Sequence, residues 1–288
     1  MIFRRRASPL HAARAAAGGA YCFALATCAL SFQHPLILGA VMLATVGAAL
    51  GAGAGHDLCT AARFTIPLAL LVALVNPFVI HEGLTVLWRF GEVPPFGEID
   101  LTLEALVYGA LLGARVLAVA LCCALFVAAV DPDETLQLFR RVSFRSALTA
   151  ALAARLMPVL ARDARRMNEA TACRADPIPP GRVAVMRAVA TSALDRAIDV
   201  AATLEVRGYG SRAAARHGSA PWSRHDLAFV ASAGALLVLV VAARLAGVAS
   251  FAAYPSLDAP VGPAEVGLAV AVIVVALLPF ADRRGIER

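Results

Sequence analysis

The sequence contains no lysine: all 26 of its basic side chains are arginines. A standard ATP-hydrolysing P-loop needs the motif Gly-x4-Gly-Lys-Ser/Thr, in which the lysine reaches the β- and γ-phosphates. The missing lysine therefore excludes such a site in this chain, and a partner protein would have to supply any ATPase activity. Codon usage in a GC-rich genome also explains the absence of lysine, together with the abundance of alanine.

Clustered metal ligands are missing as well. None of the six cysteines stands in a Cys-x-x-Cys pair, and the six histidines are scattered along the chain. Zinc sites and disulfide frameworks depend on cysteines and histidines at short, regular spacings. We therefore predict no metal site and no disulfide framework, and we interpret the cysteines as small buried apolar residues.

Charged residues are scarce, at 16% of the chain, whereas 60% of the residues are hydrophobic and the mean hydropathy is +0.75. Soluble domains are roughly 45–50% apolar. The excess is collected into long runs, which indicates that lipid is part of the solvent. The expected fold is an all-α polytopic membrane protein.

Six apolar runs approach the ~20 residues that a helix needs to cross ~30 Å of hydrocarbon. They cover residues 18–32, 34–53, 64–80, 101–130, 227–246 and 263–280. The first run follows the basic segment Arg4-Arg5-Arg6 and resembles a signal peptide, but further runs follow directly, so we expect an uncleaved span. It is short and joined tightly to the second, so a hairpin that does not cross fully is an alternative.

The distribution of arginine orients these runs, because cytoplasmic loops carry an excess of basic residues. The loop 81–100 holds four acids against Arg89 alone, and the loop 248–262 holds no arginine. We expect both loops to be external. The basic N-terminus, the segment 131–226 and the basic tail are then cytoplasmic, in a multi-pass protein of the cell membrane. The predicted segments are 1–130 with four spans, 131–226 outside the membrane, and 227–288 with two spans and the tail.

Arg115 lies inside the fourth apolar run. A charge within the membrane is costly and usually faces the bundle interior, a partner or a functional pathway. A coupling or substrate contact is one interpretation. We favour a structural role, either an ion pair with Glu104 or snorkelling at a helix end.

The segment 131–226 carries 15 of the 26 arginines against 10 acids. Asp131-Pro132-Asp133-Glu134 is a helix start signal, because Asp131 can cap, Pro132 suits the first position and acids suit the first turn. A short helix is predicted to about Arg141. A long amphipathic helix follows, whose apolar stripe is Leu148, Leu152, Leu156, Leu160, Ala164, Met167 and Thr171.

Prolines at 177, 179 and 180 end this helix, and a second long helix begins near Gly181. The stripe predicted for the second helix is Val183, Met186, Ala190, Leu194, Ala197, Ala201 and Leu204. Both stripes are rich in small residues, which allow two helices to cross closely.

Each long helix ends in an arginine with small or apolar neighbours, Arg174 in the first and Arg207 in the second. Either arginine can complement the negative end of its own helix dipole, for ~0.3–1 kcal/mol. Alternatively, it can project into an acidic pocket of a partner, where a guanidinium offers forked hydrogen bonds. The residues alone favour the first interpretation.

In several motifs the chain resembles the transmembrane T component of energy-coupling factor (ECF) transporters, the EcfT/CbiQ-like family. The span with Arg115 leads into a short helix that begins at Asp131. The run Ala154-Arg155-Leu156-Met157-Pro158, followed by Arg162, Arg165 and Arg166, looks like the family's second coupling helix. Leu204-Glu205-Val206-Arg207-Gly208-Tyr209 looks like its arginine signature. At the first signature the family usually has Ala-Arg-Gly or Ala-Arg-Ser, and this chain has Cys173-Arg174-Ala175.

The resemblance implies a non-enzymatic transport subunit that couples two ABC ATPase subunits to a membrane S subunit, which binds a vitamin or a transition-metal ion. ATP and Mg²⁺ would be bound by the ATPases, and this chain would hold no cofactor. The residues that the resemblance assigns to ATPase coupling are Cys173, Arg174, Ala175, Val206, Arg207 and Gly208. The resemblance also implies that Arg155, Arg162, Arg166 and Glu205 support the coupling helices.

Other functions fit the residues less well. An ordinary ABC permease would carry a Glu-Ala-Ala-x3-Gly loop, which 131–226 does not match. A membrane-embedded lipid-modifying enzyme would need clustered carboxylates for a metal, and the best candidates are the pair Asp195 and Asp199. A basic scaffold for nucleic acid or anionic lipid is disfavoured by the interleaved acids, so no nucleic-acid partner is expected.

Overall fold

The computed structural model describes residues 6–78, 85–93, 97–139, 144–173, 181–206, 222–249 and 262–282. The chain divides into two units. The membrane unit consists of Met1–Thr135 with Trp222–Arg288, and the arginine-rich unit is Leu136–Pro221. Helices dominate the described residues, which confirms the predicted all-α polytopic fold apart from one small β-hairpin.

In chain order, most of the membrane unit comes first, the two long helices follow, and the chain then returns to the membrane unit. The elements before the long helices are α1 Pro9–Ala12, α2 Ala15–Ser31, α3 Pro35–Gly51, α4 Gly55–Val75, β1 Val86–Val93, β2 Gly97–Thr102, α5 Leu103–Ala129 and α6 Pro132–Phe139. The long helices are α7 Phe144–Ala172 and α8 Arg182–Val206. The chain then returns to the membrane unit as α9 Arg224–Leu245 and α10 Pro263–Leu277.

Within the described residues, four helices are long and apolar enough to cross a membrane: α4, α5, α9, and α10 extended by a 3-10 turn to Phe280. The helices α2 and α3 are apolar but have 17 residues each, which is about 25 Å at 1.5 Å per residue. The protein is therefore a multi-pass membrane protein. The prediction that α2 and α3 also cross the membrane is not tested by their length alone.

The tight connection between α2 and α3 is capped locally. The Nδ1 atom of His34 accepts a hydrogen bond from the N–H of Leu36 at 3.3 Å, and Pro35 occupies the first helical position. A proline there loses no hydrogen bond, because the first N–H groups of a helix have no partner within it. This local chemistry explains how two apolar helices follow each other with so short a turn.

The start of the third apolar run, expected at residue 64, is wrong, because α4 begins at Gly55; it ends at Val75 and a 3-10 turn follows over Asn76–Phe78. The first turns of α4 contain His56, Asp57 and Arg63, which lower the local hydropathy and hide the start of the helix. One of these charges is paired: the carboxylate of Asp57 lies 2.6 Å from the guanidinium of Arg6.

The segment expected to be an external loop, 81–100, contributes to a hairpin. Strands β1 and β2 are antiparallel, with Arg89 opposite Asp100 and Val93 opposite Gly97. The run Val86-Leu87-Trp88-Arg89-Phe90 is rich in residues that favour strands, and this signal is overlooked when charge alone is considered. The hairpin leads directly into α5, where the Thr102 hydroxyl caps the helix by accepting from the N–H of Ala105 at 3.3 Å.

The core of the membrane unit lies around α2, which packs against α5 and α9, while α3 packs against α5 and α10. Tyr21, Phe229 and Phe280 form an aromatic cluster with edge-to-face contacts at centroid distances of 5.3–6.2 Å. The hydroxyl of Tyr21 donates to the carbonyl of Ala276 at 2.8 Å, so this buried polar group is satisfied. The cluster thereby joins α2, α9 and α10.

The contact between α4 and α5 depends on two glycines spaced four residues apart. A Cβ at Gly109 would lie 2.6 Å from the carbonyl oxygen of Ala73, and one at Gly113 would lie 2.5 Å from that of Ala69. Small residues at this spacing let membrane helices approach backbone to backbone. Most large side chains of α4 are otherwise exposed.

In the arginine-rich unit, α7 packs against α8. On α7 the half-buried residues include Leu152, Leu156, Leu160, Ala164 and Met167, so the predicted stripe agrees with the structure where it is described. On α8 the predicted stripe is wrong as the packing face. Its members Val183, Met186 and Leu194 are exposed.

The face of α8 that is half-buried instead contains Val185, Val189, Ala193, Arg196 and Val200. Alanines and large apolar residues occur on more than one side of this helix, so periodicity alone does not select a single apolar face. A polar contact of Arg196 with α7, described below, distinguishes the two faces.

Candidate functional site

The two arginines of the predicted coupling signatures, Arg174 and Arg207, lie outside the described residues, together with Ala175 and Gly208. The long helices that precede them are described: α7 ends at Ala172 and α8 at Val206. The role of these four residues in ATPase coupling stays a prediction.

The residues just before the signatures are open to solvent. Cys173 is exposed, and its N–H donates to the carbonyl of Glu169 at 3.1 Å. Glu205 is exposed, and Val206 has an exposed fraction of 89%. The described ends of both long helices are therefore accessible within this unit.

The arginines predicted to support the first long helix, Arg155, Arg162 and Arg166, are exposed. The Nε of Arg162 donates to the carbonyl of Pro158, one turn earlier, at 3.3 Å. Met157, with an exposed fraction of 71%, lies in the same stretch of α7. Arg155, Arg162 and Arg166 therefore share one exposed, cationic face of α7, whereas Met157 is exposed on another side of the helix.

The apolar face of α8 is likewise uncovered. The exposed large side chains on this helix are Val183, Met186, Leu194 and Ile198, which share about one third of its circumference, and Val206, which lies at its end on another side. Outside a membrane, contiguous exposed apolar side chains mark surfaces that bind other proteins. The exposed stripe of α8 is therefore a candidate docking surface, next to the position where the second signature follows in the sequence.

An ion pair joins the two long helices. The guanidinium Nη1 of Arg196 on α8 donates to the carboxylate of Asp163 on α7 at 2.9 Å. Sequence reasoning missed this pair, because 33 positions separate the residues and each helix carries other charges. The ion pair lies on the face of α8 that meets α7.

At its N-terminus, helix α2 of the membrane unit is held by two carboxylates. The N–H of Arg14 donates to Asp226 at 2.7 Å, and the N–H of Ala15 donates to Glu134 at 3.0 Å. Asp226 also forms a capping box with Ser223 at the start of α9. Negative charge at a helix N-terminus is favourable, because the helix dipole is positive there.

Two arginines meet the opposite end of α2. Arg115 on α5 donates to the carbonyl of Phe32 at 3.1 Å, and Arg244 on α9 donates to the carbonyl of Ser31. The guanidinium of Arg244 also lies 5.7 Å from the centre of the Phe32 ring. Cations at a helix C-terminus complement the negative end of the dipole.

The expected ion pair of Arg115 with Glu104 is wrong. The carboxylate of Glu104 accepts from the hydroxyl of Thr85 at 2.8 Å. Glu104 stands in the first turn of α5, eleven positions before Arg115, which is roughly 16 Å along the helix axis. Arg115 therefore has a structural role, as the sequence favoured, but its partner is the C-terminal end of α2 and not an acid.

The candidate metal carboxylates are solvent-exposed. Asp195 and Asp199 both lie on the surface of α8. Among the described residues, no group of three or more His, Cys, Asp or Glu side chains is close enough to hold a metal ion. The geometry of these residues gives no support to a metal-dependent enzyme.

The fold thus combines apolar membrane helices with a separate unit of two long helices that expose arginines and large apolar side chains. This combination defines a multi-pass membrane protein whose helix pair carries a candidate docking surface. The family model of CbiQ, cobalt transport protein, matches residues 7–217. The chain belongs to the CbiQ family and is a membrane component of a transport system.

The match covers the chain from α1 to beyond α8 and stops before α9 and α10. It therefore includes both the core helix α2 and the whole of the arginine-rich helix pair. The comparison with curated proteins finds no match.

Proposed function

We propose that this chain is the transmembrane energy-coupling subunit of an ECF-type ABC importer. The observation that carries the proposal is the pair α7–α8, which lies within the family match and has an uncovered apolar and cationic surface. A coupling subunit needs such a surface outside the lipid, because it must bind proteins that hydrolyse ATP. The absence of lysine agrees with a subunit that borrows its ATPase activity.

In this proposal, two ABC ATPase subunits bind the arginine-rich unit and hold ATP and Mg²⁺. Arg174 and Arg207 each enter an acidic groove of one ATPase, where a guanidinium can form forked hydrogen bonds to carboxylates. The exposed apolar stripe of α8 provides the adjoining contact area. Arg155, Arg162, Arg166 and Glu205 support the helices that carry these groups.

The membrane unit in this proposal contacts an S subunit, which binds the transported substrate. The family's description favours a cobalt ion as the substrate, with other transition-metal ions or a vitamin as alternatives. By the positive-inside rule, the excess of arginine in the N-terminus, the helix pair and the tail favours a cytoplasmic position for these segments.

Charge reversal at Arg207 tests the proposed ATPase contact. Arg207→Glu is expected to prevent assembly with the ATPase pair, because the acidic groove would then meet a like charge. Arg174→Glu is expected to act in the same direction. Arg224→Glu is the control, since Arg224 is an exposed arginine at the start of α9, outside both signatures and both long helices, and its 4.0 Å ion pair with the exposed Asp282 is a weak one.

The measurement is the amount of ABC ATPase that co-purifies with each variant, normalised to the amount of folded membrane subunit. We expect normal assembly for Arg224→Glu and loss of assembly for Arg207→Glu. Normal assembly and Co²⁺ uptake with Arg207→Glu would contradict the assigned contact.

A further inference from the structure

The chain leaves the membrane unit after Thr135 and returns to it at Trp222. A carboxylate stands within a few residues of each junction, Glu134 in the first turn of α6 and Asp226 in the first turn of α9. Both carboxylates bind the same short piece of backbone, the consecutive N–H groups of Arg14 and Ala15. The carboxylates next to the two junctions are therefore both hydrogen-bonded to the start of α2.

The hydrogen bonds at this point follow from the local chemistry. The first N–H groups of an α-helix have no intrahelical acceptor, so they need a partner from elsewhere. Asp226 is 2% exposed, and it also accepts from the N–H of Ser223 at 2.8 Å. The Nε of Arg14 lies 3.5 Å from the same carboxylate. Asp226 therefore joins the start of α9 to α2 through a backbone hydrogen bond and an ion pair, both with Arg14.

Helix α2 is suited to receive a displacement at this end. It lies in the core of the membrane unit, and its residues Tyr21, Leu25 and Cys28 are fully buried. Its far end is held by Arg115 of α5 and Arg244 of α9. Closely packed interiors are stiff, so a shift at one end of a buried helix is passed to its neighbours.

We propose that Glu134 and Asp226 are positioning residues that transmit the motion of the ATP-driven helix pair to α2. This inference rests on the proposed coupling function. Partner ATPases that displace α6 or the start of α9 then move α2 through the hydrogen bonds to Ala15 and Arg14. Loss of these bonds separates ATP-driven motion from the membrane helices without removing the surface that binds the ATPases.

The geometry offers a substitution that removes the backbone donor to Glu134. Ala15 is the first residue of α2, where proline is favoured and its missing N–H breaks no helix bond. Arg14 has φ −63° and ψ 153°, a conformation that a residue before proline adopts readily. Ala15→Pro therefore deletes the donor to Glu134, Glu134→Ala deletes the acceptor, and Ala15→Gly is the control that keeps the N–H.

Hydrogen–deuterium exchange of the complex with its ATPases, with and without a non-hydrolysable ATP analogue, tests the inference. In the wild-type protein and in Ala15→Gly, the analogue is expected to change exchange at least twofold in the first turns of α2. In Ala15→Pro and in Glu134→Ala this change is expected to fall by at least half, because only the contact of Asp226 with Arg14 then joins the junctions to α2, while ATPase binding is unchanged. The double variant is expected to behave like either single variant, because both remove the same bond.

The outcomes separate the two proposals. If no ATPase assembles with the wild-type protein, the proposed function is wrong and this inference falls with it. If the ATPases bind but the analogue leaves α2 unchanged in the wild-type protein, only the transmission through α2 is wrong. The transmission is also wrong if the nucleotide-dependent change is undiminished in Ala15→Pro and Glu134→Ala.

Discussion

Asp163 and Arg196 lie 2.9 Å apart and join the two long helices of the arginine-rich unit. The carboxylate is largely shielded, whereas the arginine side chain is about one-third exposed. A partly exposed ion pair contributes only ~0.2–1 kcal/mol. The pair lies on the face of α8 that meets α7, whereas the apolar stripe with Met186 and Leu194 is uncovered.

Reversal of one charge in this pair is expected to loosen the helix pair. Asp163→Arg places two arginines in contact and should lower the stability of the α7–α8 contact by about 0.5–1 kcal/mol. The swap Asp163→Arg with Arg196→Asp should restore most of the loss. Amide exchange in α8 measures the effect, and additive losses in the swapped variant would show that the two residues do not act as a pair.

The close approach of α4 to α5 is expected to fail when either glycine gains a side chain. Gly109→Ala and Gly113→Ala each drive a Cβ into a backbone carbonyl, so each should lower the free energy of unfolding by about 1–3 kcal/mol. Gly234→Ala is the matched control, because the space around Gly234 in α9 is open. Thermal unfolding in detergent gives the comparison. Equal unfolding temperatures for all three variants would contradict the close contact.

The buried hydroxyl of Tyr21 is expected to contribute separately from its ring. Tyr21→Phe keeps the contacts with Phe229 and Phe280 but removes the donor to the Ala276 carbonyl, at a cost of about 0.5–1.5 kcal/mol. Tyr21→Ala also empties the centre of the aromatic cluster and should cost about 3–5 kcal/mol. The same unfolding assay ranks the two variants, and an equal loss in both would show that the ring packing contributes little.

The exposed stripe of α8 is expected to bind the ATPases through apolar contacts. Met186→Asp and Leu194→Asp should weaken ATPase binding at least tenfold without changing the fold, because both side chains are already exposed. Ala188→Asp is the control, since it places the same charge at an exposed position of α8 outside the stripe. Binding of purified ATPase subunits to each variant is the measurement. Unaltered binding by both stripe variants would place the ATPase contact elsewhere.

Those features of the fold that depend on neighbouring residues could be predicted from the sequence. Apolar runs located the membrane helices, since hydropathy is a local property. The cap of α6 was also predictable: Asp131 accepts from the N–H of Asp133 at 2.8 Å, as the start signal indicates. The start of α4 was missed because polar residues open it, and the pairing of Asp57 with the distant Arg6 has no local pattern.

The remaining features depend on contacts between distant positions. Arg14 and Asp226 are 212 positions apart, and no local pattern marks them as partners. Arg115 was recognised as an unusual charge, but its acceptor is a backbone carbonyl, which has no sequence signature. The signature arginines Arg174 and Arg207 follow from the family resemblance alone, and they lie outside the described residues.

The most direct test of the proposed coupling function is the composition of the complex purified with this chain from native membranes in mild detergent. We expect a stable complex that contains ABC ATPase subunits and a small, very hydrophobic S subunit, and that hydrolyses ATP. Purification of the folded chain without any ABC ATPase, under conditions that preserve other ABC transporters, would contradict the coupling function.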